Sequence, residues 1–208
     1  MNNSELQKII SDTQSDPYIK WNNPSLADWC RANPEFSVYL FNKDGGHGYF
    51  SLLHNLTSNI EGTIVELGNR EGLGILSIYD ALGENSELYT LDIVDDVRFI
   101  KDEIKNDPRV HILNDFNSLD SNRVEKTFEK KSISMIFLDT IHTYEQVTQE
   151  LKLWEPYMKD DCVILVDDIR NYVPGNSKWK FHQEYDVSHK YDITEWAHNF
   201  TGFGVYLR

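Results

Sequence analysis

Basic residues, cysteines and long apolar runs are all scarce in this sequence. Its 208 residues include 20 lysines and arginines against 34 acidic residues, which gives a formal net charge of −14. A polyanionic partner would be repelled by such a chain, so we expect neither nucleic acid nor anionic membrane surfaces as partners. No apolar run is long enough to span a bilayer, and the polar residues 1–13 lack the apolar core of a signal peptide.

The two cysteines, Cys30 and Cys162, are too few for a disulfide framework. Cys162 falls in a predicted buried strand, so we expect two reduced thiols. The length and a hydrophobic content of 40% predict one globular unit with a substantial core. These features together predict a cytoplasmic protein. They leave open whether it forms a homo-oligomer.

Short apolar runs alternate with helix-like segments from Thr63 onward. The predicted strands are 63–67, 87–91, 110–113, 134–138 and 163–166. The predicted helices between them are 73–82, 97–105, 123–130 and 144–158. This alternation predicts a Rossmann-like α/β fold, with a mostly parallel sheet and helices on both faces.

The last helix of this alternation and the segment after it give further predictions. The helix over 144–158 carries an apolar stripe, and Thr143 with Gln146 predicts a capping box at its start. The members of the stripe are Val147, Leu151, Trp154 and Met158. After a helix over 177–185, strands 189–194 and 202–207 are too close in sequence for a helical crossover, which predicts an antiparallel hairpin and seven strands in all.

Residues 1–60 predict a helical extension that caps a single compact unit over 61–208. Three helices are expected, at 4–11, 25–42 and 49–60, and they are rich in aromatic residues. These aromatics either pack against the sheet or form a lid and substrate wall, and we favour packing for most of them. Asp44-Gly45-Gly46-His47-Gly48 differs, because three glycines in a polar segment are typical of a mobile hinge.

The segment Glu66-Leu67-Gly68-Asn69-Arg70-Glu71-Gly72 joins a β-prone run to a predicted helix. Gly68 lets the backbone turn tightly and approach a ligand where a β-carbon would clash. The N-terminus of the helix offers unpaired N–H groups to a polar ligand. Glycine turns are common, so the nucleotide-binding interpretation depends on the polar strand ends that follow.

Ligands of open parallel sheets bind beyond the carboxyl ends of the strands. Asp92 closes the second strand, roughly 20 positions after the glycine turn, where an acid commonly accepts hydrogen bonds from ribose hydroxyls. The alternative is that Asp92 caps or solvates the following helix, and we favour the ribose role. Asp115 and Phe116 close the third strand, where they suit either an adenine amino group and ring or simple turn chemistry.

Three carboxylates close the fourth and fifth strands. Asp139, Asp167 and Asp168 would repel one another if unpaired, which raises pKa values. A hard divalent cation with oxygen ligands resolves that conflict. Alternatively, one carboxylate faces solvent or pairs with Arg170 or Lys178.

His142 lies three residues after Asp139, just before a predicted helix. With a pKa near neutrality it would take a proton from a hydroxyl held by the metal. A histidine at a helix start is also commonly a cap or a surface residue. The other histidines have no comparable setting, except His47 in the predicted hinge.

Together these residues resemble class I S-adenosylmethionine-dependent methyltransferases. Glu66-x-Gly68-x-x-x-Gly72 is similar to their first motif, and Phe203-Gly204-Val205-Tyr206 to their final antiparallel strand. The resemblance implies S-adenosylmethionine as cofactor. The residues it assigns to the cofactor are Glu66, Gly68, Asn69, Arg70, Gly72, Asp92, Ile93, Asp115, Phe116 and Asp139.

Asp139-x-x-His142-x-Tyr144-Glu145, followed by Asp167-Asp168, resembles the magnesium-dependent sugar O-methyltransferases of macrolide biosynthesis and related cephalosporin-biosynthesis proteins. This implies O-methylation of a small sugar- or phenol-like acceptor. It also implies Mg²⁺ on the three aspartates, with His142 and Asp139 catalytic and His142 as the base.

The sequence departs from the family pattern at three points. Arg70 stands where many relatives have a second glycine, Gly74 stands where Ser or Thr is common, and all three metal ligands are Asp.

Three other functions stay open at this stage. A metal-independent methyltransferase would use the same cofactor site, and chelator insensitivity would identify it. A nicotinamide-dependent oxidoreductase shares the glycine turn, but the C-terminal hairpin and the number of acids fit it poorly. A catalytically silent protein that binds an adenosyl ligand needs the turn but not three aspartates.

Overall fold

The structure is a computed structural model that describes residues 1–41, 48–70, 72–94, 100–170, 177–195 and 201–208. The strands are β1 (Gly62–Leu67), β2 (Ser86–Leu91), β3 (Val110–Leu113), β4 (Ile133–Leu138), β5 (Met158–Asp167), β6 (His189–Asp192) and β7 (Phe203–Leu207). The helices are α1 (Asn3–Ser15), α2 (Pro24–Ala32), α3 (Pro34–Leu40), α4 (Tyr49–Thr57), α5 (Leu73–Ala81), α6 (Asp102–Lys105), α7 (Ser121–Thr127), α8 (Tyr144–Trp154) and α9 (Lys178–Glu184).

The strands form one seven-stranded sheet in the order β3-β2-β1-β4-β5-β7-β6. Strands β1 to β5 pair in parallel, and β7 runs antiparallel to both β5 and β6. The predicted mostly parallel sheet with a C-terminal antiparallel hairpin is therefore confirmed. Chain order reverses direction at β1 and β4, which places the crevice for a ligand beyond the ends of these two strands.

The sheet is buried on both faces, so its central strands are almost continuously apolar. In β5, Val163 and Leu165 join the core on the face that also carries the N-terminal helices. Cys162, Ile164 and Val166 alternate with them and join the core formed with α7, α8 and α9. Both cysteines are buried and free, and the predicted place of Cys162 in a buried strand is confirmed.

The N-terminal helices are joined to α5 by a buried polar contact. Asp80 on α5 accepts hydrogen bonds from the backbone N–H groups of Asn22 at 2.7 Å and Asn23 at 2.9 Å, and its carboxylate lies 2.9 Å from His54 Nε2. The packing role expected for the aromatics is confirmed for Phe36 and for two residues of α4, Tyr49 and Phe50, which are all buried.

Two prolines divide elements that the sequence patterns predict as continuous. The helix predicted over 25–42 is two helices, because Asn33 precedes Pro34 and takes an extended conformation with ψ 111°. The helix predicted over 144–158 ends at Trp154 and is followed by a 3₁₀ turn that contains Pro156. Met158 is buried but begins β5, so it does not belong to the helical stripe.

Two further predictions need correction. The helix predicted over 97–105 begins only at Asp102 within the described residues, because Lys101 has a ψ of 145°. Thr143 caps α8 by accepting the Gln146 N–H, but the Gln146 side chain donates to Glu150 instead of completing a capping box.

The hinge at 44–47 lies outside the described residues. Among those that are described, no helix is long and apolar enough to cross a membrane.

Candidate active site

The glycine loop, residues 68–72, of which the structure describes 68–70 and 72, follows β1, and Gly68 fits closely against the end of β4. Gly68 has a φ of +89°, and its N–H donates to Leu91 O at 2.8 Å. A β-carbon on Gly68 would lie 2.2 Å from the backbone oxygen of Asp139. Only glycine fits this position, which joins the loop to the strand end that carries Asp139.

Asp92 at the end of β2 braces the same loop. Its Oδ2 accepts the N–H of Arg70 at 3.0 Å, and its Oδ1 accepts the N–H of Val94 at 3.0 Å. Arg70 has a φ of 40°, a conformation that a non-glycine residue adopts at a cost. Ile93, which follows Asp92 in the chain, is 61% exposed. Asp92 thus lies at the end of the second strand beside the glycine loop, as predicted. Its contact with a ribose stays a prediction.

Glu66 and Gly74 depend on each other. Glu66 is 1% exposed, its Oε2 accepts the Thr90 hydroxyl at 2.7 Å, and burial raises the pKa of its carboxyl to about 8. A β-carbon on Gly74 would lie 1.9 Å from Glu66 Oε1. The departure at Gly74 is thereby explained, because Ser or Thr there would displace the Glu66 carboxyl.

Asn69 is a buried residue of this loop, and its side-chain amide has no hydrogen-bond partner in the part of the chain that the structure describes. It is 3% exposed, and neither its Oδ1 nor its Nδ2 has a hydrogen-bond partner. It lines a cavity of about 230 Å³ at the carboxyl ends of the parallel strands. A buried amide without partners is unfavourable, so this position indicates a polar ligand.

The acidic cluster, which we define as Asp139, Asp167 and Asp168, lines the same cavity. Leu138 of β4 pairs with Val166 of β5, so the strand register places the first two carboxylates side by side. Asp168 has a φ of 58°, a left-handed conformation that turns the chain just beyond the strand. The predicted convergence of the three aspartates is confirmed.

His142 bridges two members of the cluster. Its Nε2 lies 3.5 Å from Asp139 Oδ1, and its Nδ1 contacts Asp168 Oδ2. Hydrogen bonding to Asp139 and then to Asp168 raises the pKa of His142 to about 9. The expectation of a pKa near neutrality is therefore wrong for the protein without a ligand, because two carboxylates stabilise the imidazolium.

The cluster also has a cation behind it. Lys178 is 1% exposed and donates to the backbone oxygen of Asp167 at 2.9 Å, whereas Arg170 pairs with Asp192 through Nε at 3.0 Å. Burial raises the pKa of Asp167, and the charges of its two neighbours raise it further. Within the described ranges, no three acidic, histidine or cysteine side chains already stand in a metal-binding arrangement.

Asp115 and Phe116 lie apart from this cavity in the structure. Asp115 is in a turn with a φ of 55°. Phe116 is 2% exposed within the core, and the guanidinium carbon of Arg123 lies 4.3 Å from the centre of its ring. The turn at Asp115 and the burial of Phe116 are thus observed, and the contacts with an adenine stay a prediction.

Aromatic side chains also line the cavity. Tyr39 of α3, Tyr49 and Phe50 of α4, and Phe137 of β4 line it. Tyr49 stacks on Phe203 with ring centroids 4.7 Å apart. The sequence offered a substrate wall only as the less favoured role of the N-terminal aromatics, because aromatic content alone does not separate a cavity wall from a core. Phe137 was not expected at the site.

A family profile described as "Methyltransferase domain" matches residues 65–169, from the glycine loop through the acidic cluster. The chain belongs to this family. The methyltransferase class predicted from Glu66, the glycine loop and Asp92 is confirmed. The narrower relation to the macrolide-sugar enzymes stays a prediction.

Solved structures of methyltransferases share the fold of this family member. An O-methyltransferase from Bacillus cereus, in complex with S-adenosylhomocysteine, is 12% identical over 96% of each chain with a TM-score of 0.66. A methyltransferase from Podospora anserina, also bound to S-adenosylhomocysteine, is 14% identical over 100% of this chain and 97% of its own, with a TM-score of 0.62. MycE from the mycinamycin pathway, in complex with Mg and S-adenosylhomocysteine, is 14% identical over 89% of this chain and 55% of its own, with a TM-score of 0.58. No functionally curated protein matches the chain by sequence.

Proposed function

We propose that this methyltransferase transfers the methyl group of S-adenosylmethionine to a hydroxyl oxygen of a small sugar- or phenol-like acceptor. One observation carries the proposal. A single cavity is lined both by residues of the glycine loop and by the acidic cluster with His142. A methyl donor held by the loop would therefore meet an acceptor held at the cluster, and alignment of two reactants removes much of an entropic barrier.

The residues of the loop fit the cofactor. S-adenosylmethionine, when bound, supplies a methyl group on a sulfonium and carries an amino-acid end with both an ammonium and a carboxylate. The unpaired amide of Asn69 has a donor and an acceptor for those groups. The binding residues we propose are Glu66, Gly68, Asn69, Arg70, Gly72, Asp92 and Ile93.

The acidic cluster fits a hard cation by the chemistry of its donors, since Mg²⁺ prefers carboxylate oxygens. Asp139, Asp167 and Asp168 would hold the ion, which would lower the pKa of an acceptor hydroxyl. It would also engage the carboxylates that now raise the pKa of His142. The proposal thus reconciles a histidine that is protonated in the free protein with a role as base.

His142 accepts the hydroxyl proton in the proposed reaction. Its Nε2 takes the proton as the acceptor oxygen bonds to the methyl carbon and the carbon–sulfur bond breaks. Asp168, in contact with Nδ1, orients the ring and stabilises the charge that develops on it. Tyr39, Tyr49 and Phe50 would flank the acceptor and exclude water from the cavity.

Calorimetric titration of S-adenosylhomocysteine into the protein, with and without Mg²⁺, tests the cofactor site first. We expect saturable micromolar binding that Asp92→Ala weakens. An absence of binding at millimolar ligand would contradict the proposal. Methylation of hydroxylated acceptors then tests the reaction, and activity lost in chelator and restored by Mg²⁺ tests the metal.

A metal-independent methyltransferase is the second candidate, and a specific observation favours it. His142 and Lys178 already place positive charge beside the acidic cluster. The carboxylates would then orient His142 rather than bind an ion. Equal rates of methyl transfer in chelator and in Mg²⁺ would select this alternative.

A further inference from the structure

A buried lysine lies directly behind the acidic cluster. Lys178 is the first residue of α9, is 1% exposed, and donates from Nζ to the backbone oxygen of Asp167 at 2.9 Å. An ammonium group removed from water is strongly unfavourable unless charges of opposite sign surround it. Lys178 therefore needs an explanation that packing alone does not supply.

The carboxylates of the cluster and one carboxylate on α8 act on this ammonium. Burial lowers the pKa of Lys178, while the charges of Asp139, Asp167, Asp168 and Glu150 raise it. Glu150 on α8 is fully buried, accepts the Ser118 hydroxyl at 2.6 Å, and accepts the Thr140 hydroxyl at 2.9 Å.

The carboxylates of the cluster differ in their partners. His142 contacts Asp139 and Asp168, on the cavity side. Asp167 is only 7% exposed and ends β5, where the Lys178 hydrogen bond holds its backbone. Lys178 thus contacts the aspartate that ends β5 through the backbone oxygen of that aspartate.

We propose that Lys178 is a positioning residue for the site: its buried ammonium holds the end of β5 and supplies the internal positive charge that keeps the acidic cluster together. The role follows from charge balance and does not require a metal or a methyl donor. Without Lys178, the His142 imidazolium alone would face three carboxylates at one sheet edge, and the remaining repulsion would drive the strand ends apart.

A double-mutant cycle on stability tests this directly. Lys178→Met, Asp167→Asn and the double variant are unfolded thermally at pH 7 in chelator. We expect Lys178→Met to lower the midpoint by about 6 °C or more, since the buried ammonium and its hydrogen bond to the Asp167 backbone are both removed. Asp167→Asn should then raise the midpoint of the Lys178→Met variant by several degrees more than it changes that of the native protein.

Two exposed residues supply the controls. Lys180→Met lies on the same helix with 59% of its side chain exposed, and Asp160→Asn alters a carboxylate with 82% exposed. Their effects should be small, and Asp160→Asn should act equally in both backgrounds. If Asp167→Asn also acts equally in both, the charge role is wrong. If Lys178→Met does not fold, a folded double variant supports the proposal, and failure of both overturns it. No ligand is present, so the result is independent of the proposed reaction.

Discussion

The two halves of the cavity are built in different ways. The glycine-loop half is made by backbone: a residue with positive φ at Gly68, another at Arg70, and an aspartate that accepts loop N–H groups. The acidic half is made by side chains from separate elements, with His142 from the loop after β4 and Lys178 from α9. Local sequence therefore determines the first half, whereas tertiary packing determines the second.

This difference predicts how each half fails. A change in the glycine loop should disturb the fold and cofactor binding together, because the loop backbone contacts the neighbouring strand. A change in the acidic half should separate chemistry from cofactor binding, because its side chains can be removed without moving the loop.

Gly68→Ala should have the largest effect. The new β-carbon would lie 2.2 Å from Asp139 O at a φ of +89°, so strain and overlap together should lower the free energy of unfolding by about 4 kcal/mol. We expect binding of S-adenosylhomocysteine to become unmeasurable. Calorimetry and denaturant unfolding measure both effects.

Gly83→Ala is the matched control for that substitution. Its β-carbon would meet Ser86 Oγ at 3.6 Å, an ordinary contact, so stability and binding should both be kept. Wild-type affinity in Gly68→Ala would show that the loop does not form the cofactor site.

His142→Ala should reduce turnover by about 10²–10⁴-fold, the usual contribution of a general base. Affinity for S-adenosylhomocysteine should stay within about threefold, since the glycine loop is unchanged. Steady-state kinetics with a hydroxylated acceptor measure turnover, and calorimetry measures the affinity for S-adenosylhomocysteine. An equal loss in affinity and turnover would mean that the two halves are not independent.

Glu66 gives the glycine-loop half a pH dependence. Its pKa rises from the ordinary 4.5 to about 8 in the folded protein, so between these values the unfolded chain has lost a proton that the folded protein keeps. Ionisation of Glu66 in the unfolded state therefore lowers stability as pH rises through this window. The loss should amount to about 3 kcal/mol between pH 5.5 and 7.5.

Glu66→Gln removes this titration, so its stability relative to the native protein should increase across the same range and level off above pH 8. Denaturant unfolding at several pH values measures the difference between the two proteins, in which the other carboxylates cancel. A constant difference would show that Glu66 is not buried in its neutral form.

Most of the sheet could be predicted because strand–helix alternation and closing acids are local features, as Asp92 and Asp139 illustrate. Predictions over longer range were less complete. The pKa of His142 depends on Asp168, which is 26 residues away in sequence and comes close only through the pairing of β4 with β5. Tyr39 and Tyr49 line the cavity because of how α3 and α4 pack, and no periodicity or motif in the sequence predicts which aromatic residues face a cavity. Lys178 appeared only as a partner for one aspartate, since burial of a lysine cannot be read from its neighbours.

The smallest effect we predict concerns Asp92, which serves the loop and, in the proposal, the ribose. Asp92→Ala should weaken binding of S-adenosylhomocysteine about tenfold, equivalent to about 1.4 kcal/mol. A ligand analogue without the 2′ and 3′ hydroxyls separates the two roles. If the carboxylate accepts the ribose hydroxyls, the variant loses affinity for the parent ligand but little for the analogue. If it only braces Arg70, it loses the same affinity for both, and Asp92 then belongs entirely to the backbone design of the glycine-loop half.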